Sequence, residues 1–398
     1  MFYTFLSIYL REFLHLTVTE TTLYATLPMI VSVIFQNFVW GPTSDKLQKR
    51  RTLIISGEIL AGIGTITVWF LHTIPSNLLV AGYIIILGLS CIEIFWSTSN
   101  IGWSALISDL YPAADRSKIV GHLTSIGGIG RIIGVFIGGL LYDNGYGFQN
   151  GFLFFIAASV MFISTIPMLF MPEGGIQVKK DIKINNENGD DTNNSIKYVF
   201  FVFIIALVFI NFGRNSLAVT YSQYLSLDGG FNVDSVLLSF IVNSRSVAVI
   251  ILGLTVGFMS KGIGDSNTLL IGVLAAIGAL VITALTSLLL MIFIGSFFIG
   301  VADVLVSAAS YAIASTLIPP KKRGKLFAVY NTTFFLSWGL ASTLISGPLI
   351  DFLINSGINE LVAYRISFLV GALICTIGLS ILLGLKLWIS RKKKNIKF

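Results

Sequence analysis

The stretch Gly41–Arg51, GPTSDKLQKRR, is a charged island between two long apolar runs, roughly Thr22–Val39 and Thr52–Leu71. It carries one acid, Asp45, and four bases within about ten residues. Apolar runs of this length can span a bilayer, so the chain must leave the membrane, turn and re-enter it here. Because Lys and Arg accumulate on the cytoplasmic side of membranes, the stretch predicts a cytoplasmic loop between two helices.

Composition extends this interpretation to the whole chain. Of its 398 residues 55% are apolar and only 11% are charged, and the mean hydropathy is +0.87. A soluble globular protein of this length could not cover its surface with so few charges, so an all-α polytopic membrane protein is predicted. The net charge of +7 comes from short basic clusters between apolar runs, which indicates membrane topology rather than nucleic-acid binding.

Nothing in the sequence points to enzyme chemistry. No nucleophile motif, phosphate-binding loop or pair of catalytic carboxylates is recognisable, and no His, Cys or acidic residues lie at helical metal-ligand spacing. We therefore expect no cofactor, no metal site and no enzymatic activity. Cys91 and Cys375 fall within apolar runs and are expected to be small core residues. His72 and His122 lie near helix ends and are expected to be solvated.

Twelve apolar runs divide into two groups of six. The predicted spans are Met1–Leu10 (short), Thr22–Val39, Thr52–Leu71, Leu78–Ile107, Ile119–Tyr142, Gly151–Met171, Tyr198–Leu225, Val236–Met259, Thr268–Leu285, Leu289–Leu317, Leu326–Leu353 and Leu361–Ile389. This pattern predicts a six-helix bundle over 1–171, a flexible polar linker over 172–196, a second bundle over 197–390 and a basic tail over 391–398.

The bases predict the orientation in the membrane. Twenty of the 26 Lys and Arg residues lie in the even-numbered loops, the linker and the tail. By the positive-inside rule we expect a multi-pass protein of the cytoplasmic membrane with both termini in the cytoplasm.

The two groups of spans are weak repeats of one another. The segment 110–118 aligns with 317–325 at an offset of 207, and 139–143 aligns with 347–351 at an offset of 208. Gly41–Ser44 aligns with Gly257–Ser260 at an offset of 216. The same offset places Met1 on Leu217, well inside the seventh run. We therefore expect the first helix to lack roughly 16 to 20 residues at its inner end.

The stretch Gly41–Arg51 resembles a signature of the major facilitator superfamily. The loop between helices 2 and 3 of that family runs Gly-x-x-x-Asp-Arg/Lys-x-Gly-Arg-Arg/Lys, and Gln48 stands where the family has its second glycine. The resemblance implies two parallel six-helix repeats, a substrate site between them and alternating access. It also implies a conformational-switch loop, in which Asp45 contacts helix ends of the opposite half. The matching residues are Gly41, Asp45, Lys46, Lys49, Arg50 and Arg51.

The fifth run carries glycines whose spacing resembles the antiporter signature of the superfamily's drug/proton exchangers. They are Gly121, Gly130, Gly134, Gly138 and Gly139. Val135 replaces the proline of that signature. Glycines four residues apart also form a flat stripe on which another helix can pack, so a purely packing role is the alternative.

Five charges fall in the middle third of membrane spans: Glu93, Arg131, Arg214, Arg245 and Asp303. By the resemblance, all five lie on helices that line the cavity. A charge at mid-bilayer costs roughly 2.5 kcal/mol or more, so each must face a partner or a wet cavity. They could form fixed ion pairs, Glu93 with Arg131 and Asp303 with Arg245 or Arg214. Alternatively, one or both acids exchange protons while the arginines hold an anionic group. Glu58, nearer the cytoplasmic side, is expected to pair with the basic loop.

These features together indicate a secondary transporter that works by alternating access. We expect a monomer, coupled to protons, that exports a drug-like or amphipathic small molecule across the lipid bilayer without nucleic-acid partners. The excess of arginine over acid favours the alternative, uptake of an organic anion or sugar acid. An uncoupled uniporter or a sensor is the third possibility.

Overall fold

The computed structural model of the chain describes residues 2–110, 113–174, 190–318 and 323–391. For some of them, Asp45 included, it describes the backbone alone. Within these ranges the chain is helical and has no strand. The α-helices are α1 Phe2–Ile8, α2 Val18–Phe35, α3 Gly41–Leu47, α4 Arg50–His72, α5 Leu78–Leu110, α6 Ala113–Tyr142, α7 Tyr146–Gln149, α8 Phe152–Leu169, α9 Asp190–Asn215, α10 Thr220–Ser226, α11 Ser235–Ile263, α12 Asp265–Leu285, α13 Leu289–Leu317, α14 Arg323–Ala341, α15 Gly347–Asn355 and α16 Glu360–Arg391.

Eleven helical stretches in the described ranges are long and apolar enough to cross a membrane. They are Val18–Ser44, Arg50–His72, Leu78–Ile107, Ile126–Gln149, Phe152–Leu169, Lys197–Ser226, Ser235–Ile263, Asp265–Leu285, Leu289–Leu317, Val329–Asn355 and Glu360–Arg391. The first predicted span corresponds to the 7 residues of α1 and the 5-residue π-helical turn Tyr9–Phe13. The predicted class, an all-α polytopic membrane protein, is confirmed.

The described residues form two compact units. Unit 1 comprises those within Met1–Gly127 and Gly134–Lys183, and unit 2 those within Gly128–Ile133 and Ile184–Phe398. In unit 1, α4 packs on α5 and α8, and α2 packs on α5. In unit 2, α12 packs on α13 and α16, and α11 packs on α13. The same pairing therefore recurs in both units. The pairs α4–α5, α4–α8 and α2–α5 of unit 1 correspond to α12–α13, α12–α16 and α11–α13 of unit 2, which confirms the two-repeat architecture.

Small residues bring the paired helices close together, as is usual where the surrounding solvent is lipid. A Cβ on Gly57 of α4 would lie 2.8 Å from the Phe95 carbonyl oxygen of α5. In unit 2, a Cβ on Gly213 of α9 would lie 2.6 Å from the Gly371 carbonyl oxygen of α16. Larger residues at these positions would separate the helices. Many large apolar side chains are exposed on the outer helix faces, where acyl chains replace water.

The predicted end of the linker needs correction, and parts of the linker and of the basic tail lie outside the structure. The predicted flexible linker includes 190–196, but α9 already begins at Asp190. Aspartate favours helix starts, so the helix extends beyond its apolar run. Residues 175–189 of the linker and 392–398 of the basic tail lie outside the described ranges.

The seventh predicted span is broken rather than continuous. Helix α9 ends at Asn215, four residues of turn follow, and α10 begins at Thr220. The Ser342 hydroxyl donates to the Ser216 carbonyl oxygen at 3.1 Å, and the Ser346 hydroxyl donates to the same oxygen at 2.7 Å. Both serines belong to the π-helical turn Ser342–Ser346 between α14 and α15. Their hydroxyls replace intrahelical bonds that the break removes, because an unsatisfied carbonyl inside a membrane is costly.

Candidate functional site

Three of the five predicted membrane charges form one ion-pair triad in unit 2. Arg214 Nη1 lies 2.6 Å from Asp303 Oδ1, and Arg245 Nη2 lies 2.7 Å from Asp303 Oδ2. Arg245 Nε also donates to Asp303 Oδ2 at 2.7 Å. The carboxylate thus bridges α9, α11 and α13 and is paired with both arginines that the sequence offered as alternatives. Two guanidinium groups facing one carboxylate leave one uncompensated positive charge.

Neighbouring groups hold the Arg214 side chain in place. Its Nε donates to Asn211 Oδ1 at 2.9 Å, and Asn211 Nδ2 donates to Thr333 Oγ1 at 3.2 Å. The guanidinium carbon lies 5.7 Å from the centroid of the Phe334 ring, a cation–π contact. Arg214 is also in the last turn of α9, where the helix dipole favours a positive charge. Its position is therefore fixed by several independent contacts.

The triad lines a pocket beside the break between α9 and α10. The pocket encloses about 330 Å³, counted to its open mouth. Leu217 and Ala218 of the break form part of its wall, together with Leu280 of α12 and Ile299 of α13. The pocket therefore has a charged end, formed by the triad, and an otherwise largely apolar lining. The break could not be recognised from the sequence, because its residues Ser216–Val219 are compatible with a continuous helix.

Arg131 of α6 is grouped with unit 2 and is largely exposed. It lies within electrostatic range of Arg245 and Asp303. In the described ranges no ion pair includes it, and the partners of the Asp303 carboxylate are Arg214 and Arg245. Arg131 thus adds positive charge near the triad without joining it.

Glu93 is the buried acid of unit 1. Only 4% of its surface is exposed, and it lies near the middle of α5. Its carboxylate lies next to the Ser32 hydroxyl of α2, which accepts a hydrogen bond of 2.7 Å from Gln36 Nε2. Among the residues that the structure describes, no ion pair includes Glu93. Within unit 1, the described groups next to Glu93 are neutral hydroxyl and amide groups.

The predicted switch loop is more ordered than the sequence suggested. Residues Gly41–Leu47 form the short helix α3, and the turn is confined to Gln48 and Lys49. Arg50 is buried, and its Nε donates to Asp109 Oδ2 of α5 at 3.1 Å. Its Nη1 donates to the Ser44 carbonyl oxygen and hydroxyl. The side chain of Asp45 lies outside the described part of the structure, whereas Gly41 and Lys46 are in α3.

Arg51 joins the start of α4 to the end of α8. Its Nε donates to Glu173 Oε2 at 3.2 Å, and its Nη1 donates to the Met171 carbonyl oxygen at 2.9 Å. Glu173 Oε1 in turn accepts from the Thr52 backbone N–H at 3.0 Å. A carboxylate at a helix N-terminus satisfies a backbone donor that has no partner within the helix. Arg51 thus links the start of α4 to the segment that follows α8 within unit 1.

Two further polar residues lie in surroundings that the sequence did not reveal. Glu58 was expected to pair with the basic loop, but its Oε1 accepts from the Ser99 hydroxyl of α5 at 2.6 Å. Eight residues separate it from Arg50, so it lies too far along α4 for that loop. His72 was expected to be solvated, but it is 3% exposed and stacks on Phe154 with centroids 5.4 Å apart. The aromatic residues of neighbouring segments cover this helix end.

The glycines of α6 differ in their surroundings. Gly138 and Gly139 are buried. Gly130 is exposed, and a Cβ built on it would have no atom within 4 Å. Gly134 is half-buried, and Gly121 lies in the part of α6 that is described by its backbone alone. Close packing is therefore a sufficient explanation for only some members of the stripe.

Comparison with known proteins places the chain among transporters. The sequence model of the Major Facilitator Superfamily matches residues 1–197 and 203–397. Multidrug resistance protein 2 of Bacillus subtilis (strain 168) is 24% identical over 208 residues, which are 51% of this chain and 51% of that protein. The matched region thus spans about half the length of this relative. Multidrug resistance protein MdtG of Rahnella sp. (strain Y9602) is 24% identical over 297 residues, 74% of this chain and 68% of the relative.

Solved structures share the fold. A mutant of the nucleoside transporter NupG superposes with a TM-score of 0.76 at 14% identity, covering 96% of this chain and 95% of that one. A bacterial homologue of the human lysosomal transporter Spinster superposes with a TM-score of 0.72 at 15% identity, covering 96% and 92%. At such identities the similarity shows the fold alone. With the family match covering nearly the whole sequence, the chain belongs to the Major Facilitator Superfamily of multi-pass membrane transporters.

Proposed function

We propose that the protein is a proton-coupled exporter of small amphipathic molecules that acts as a monomer by alternating access. The observation that carries the proposal is Glu93, a buried carboxyl in a membrane helix whose described neighbours in unit 1 are neutral groups. A charged carboxylate there is costly, and binding a proton removes the charge without breaking an ion pair. Glu93 can therefore take up and release a proton during the cycle.

Asp303 has a different role in this proposal. Both of its oxygens are paired with arginines, so protonation would leave two buried guanidinium groups without a counter-charge. Asp303 therefore organises Arg214 and Arg245 in the binding pocket, whereas Glu93 carries the proton. The names of the two multidrug resistance relatives support export as the direction and drug-like molecules as substrates.

The segment Gly41–Arg51 is proposed to be the conformational switch. Its buried Arg50 fixes α3 against α5, so movements of α5, which carries Glu93, are transmitted to α3 and to Asp45. Protonation at Glu93 and the state of the segment would in this way be coupled through one helix. Alternating access follows from a two-state element that both the proton and the substrate bias.

The test is Glu93→Gln in proteoliposomes, with substrate movement driven by an imposed pH gradient. We expect gradient-driven transport to be lost, because glutamine cannot exchange a proton, while exchange of labelled for unlabelled substrate without a gradient continues. Glu58→Gln is the matched comparison, since it also alters a carboxyl in a membrane helix and should leave coupling intact. Retained coupling in Glu93→Gln would refute the assignment. Loss of both gradient-driven transport and exchange would point to damage of the fold.

A further inference from the structure

The pocket of unit 2 has an excess of hydrogen-bond donors as well as of positive charge. A guanidinium group has five N–H donors. Arg214 directs one to Asn211 and one to Asp303, and Arg245 directs its Nε and Nη2 donors to Asp303. Three N–H groups on each arginine accordingly have no acceptor among the described residues. Donors of a charged group in a membrane span need acceptors with negative or strongly polar oxygens.

Apart from the Asn215 amide, the remaining wall of the pocket is apolar. Leu217, Leu280 and Ile299 line it together with several alanines. Contact with this wall would not lower the binding free energy of a hydrated inorganic anion. It would lower that of an alkyl or aryl group, because apolar surface is removed from water there. The charged end and the apolar wall lie within the same pocket, an arrangement in which a few polar groups can orient a largely apolar ligand.

We infer that this pocket binds the anionic head group of the substrate, a carboxylate or a phosphate monoester that adjoins an apolar chain or ring. This inference rests on the proposed transport function and narrows its substrate class to amphipathic anions. Arg245 is the main recognition residue, because it lines the pocket and 31% of its side chain is exposed, whereas only 10% of the Arg214 side chain is exposed. Asp303 holds the guanidinium groups of Arg214 and Arg245 in position, and its negative charge compensates one of their two positive charges.

The charge count excludes lipophilic cations as the preferred ligands of this pocket. A cation entering it would meet two arginines and a carboxylate whose oxygens are both already engaged. Arg131 adds to the same repulsion, since it interacts electrostatically with Arg245. A neutral ligand would be tolerated but would leave the excess guanidinium donors poorly satisfied.

The experiment measures binding to the full chain in lipid nanodiscs by isothermal titration calorimetry, without any gradient. The probes are 4-phenylbutyrate, 4-phenylbutylamine and 4-phenylbutanol, which share a ring and a chain and differ in charge. We expect the carboxylate to bind at least about tenfold more tightly than the amine, with the alcohol between them, as charge-assisted hydrogen bonds imply.

Variants assign that preference to the pocket. Arg245→Gln should weaken phenylbutyrate binding about tenfold or more and bring it to the level of the alcohol. Arg365→Gln is the control, because Arg365 also lies in unit 2 but donates to Tyr224 and to the Thr286 carbonyl oxygen, away from the pocket.

The inference would be overturned if the amine bound more tightly than the carboxylate. It would also be overturned if Arg245→Gln and Arg365→Gln had equal effects. Absence of phenylbutyrate binding by the unaltered protein would overturn it as well. None of these results bears on Glu93→Gln, whose readout is coupling to the pH gradient. The experiments therefore distinguish a refutation of the inferred substrate class from a refutation of the transport proposal.

Discussion

Gln48 has a backbone conformation that explains the family's glycine at this place in the signature. Its φ of 52° and ψ of 25° are left-handed, and its N–H donates to the Ser44 carbonyl oxygen to end α3. Side chains with a Cβ adopt this region at a cost of about 1 kcal/mol, whereas glycine adopts it without that cost. Gln48 therefore adopts a backbone conformation that favours glycine, although it carries a side chain.

Replacing Gln48 by glycine should consequently leave the turn unchanged and remove its strain. We expect Gln48→Gly to raise the free energy of unfolding by up to about 1 kcal/mol, partly offset by the greater freedom of glycine in the unfolded chain. The apparent melting temperature in detergent reports the change. Lys49→Gly, at a residue whose φ is −109°, is the matched control and should lower that temperature or leave it unchanged. A clear decrease for Gln48→Gly would contradict the strain argument.

The surroundings of individual charged residues were only partly predictable. The pairing of Asp303 with arginine follows from the cost of charge in a membrane, and the sequence offered both Arg214 and Arg245 as partners. It could not show that one carboxylate takes both. The neutral surroundings of Glu93 and the burial of His72 were also beyond it, because they depend on which helices pack together and not on the residues nearby in the chain.

At the scale of elements, two long helices change their winding before a Gly-Pro pair. The π-helical turn Gln36–Trp40 precedes Gly41-Pro42, and the π-helical turn Ser342–Ser346 precedes Gly347-Pro348. Proline has no N–H and its ring clashes with the carbonyl group four residues earlier, so the preceding turn widens. A Cβ on Gly41 would lie 2.9 Å from the Gln36 carbonyl oxygen, which explains the glycine before the proline.

The second of these wide turns supports the broken helix beside the pocket. Ser342 and Ser346 both donate to the Ser216 carbonyl oxygen. Removing both hydroxyls in the Ser342→Ala/Ser346→Ala variant leaves that oxygen without its side-chain donors. We expect the free energy of unfolding to fall by about 1–3 kcal/mol. Thermal unfolding of the purified protein measures the change, and Ser380→Ala, an exposed serine bonded to the carbonyl oxygen of Thr376 in its own helix, serves as control. Equal melting temperatures for all three proteins would show that the hydroxyls do not support the break.

For the whole molecule, hydropathy and weak repeats were sufficient to predict the architecture. Span length follows from bilayer thickness, and the two groups of six spans are repeats of one another. Both features can therefore be recognised in the sequence. Gly57 and Gly272 illustrate this, since they lie 215 residues apart and each faces the next helix of its own unit. The break at Ser216–Val219 was not predictable, because it depends on hydroxyl donors more than 120 residues away.

The orientation of the chain in the membrane is a further prediction at this scale. Gly229 and Gly262 are exposed, and a Cβ on either would have no atom within 4 Å, so both accept cysteine without strain. In a Cys91→Ala/Cys375→Ser background, a membrane-impermeant maleimide added to intact cells should label Gly229→Cys and spare Gly262→Cys. The positive-inside rule is the reason, since Gly262 follows Lys261 in an even-numbered loop. The reverse labelling pattern would place both termini outside.

In the proposed transport cycle, the uncompensated positive charge of the pocket would also make transport sensitive to voltage. Moving one elementary charge through a potential of 100 mV changes the free energy by about 2.3 kcal/mol. A monoanion cancels the charge left by Arg214, Arg245 and Asp303, so the loaded pocket does little electrical work. In the proposed export cycle, the empty pocket would carry its positive charge back towards the negative interior of the cell. The membrane potential would then drive the resetting half of that cycle and leave the loaded half to the chemical gradients.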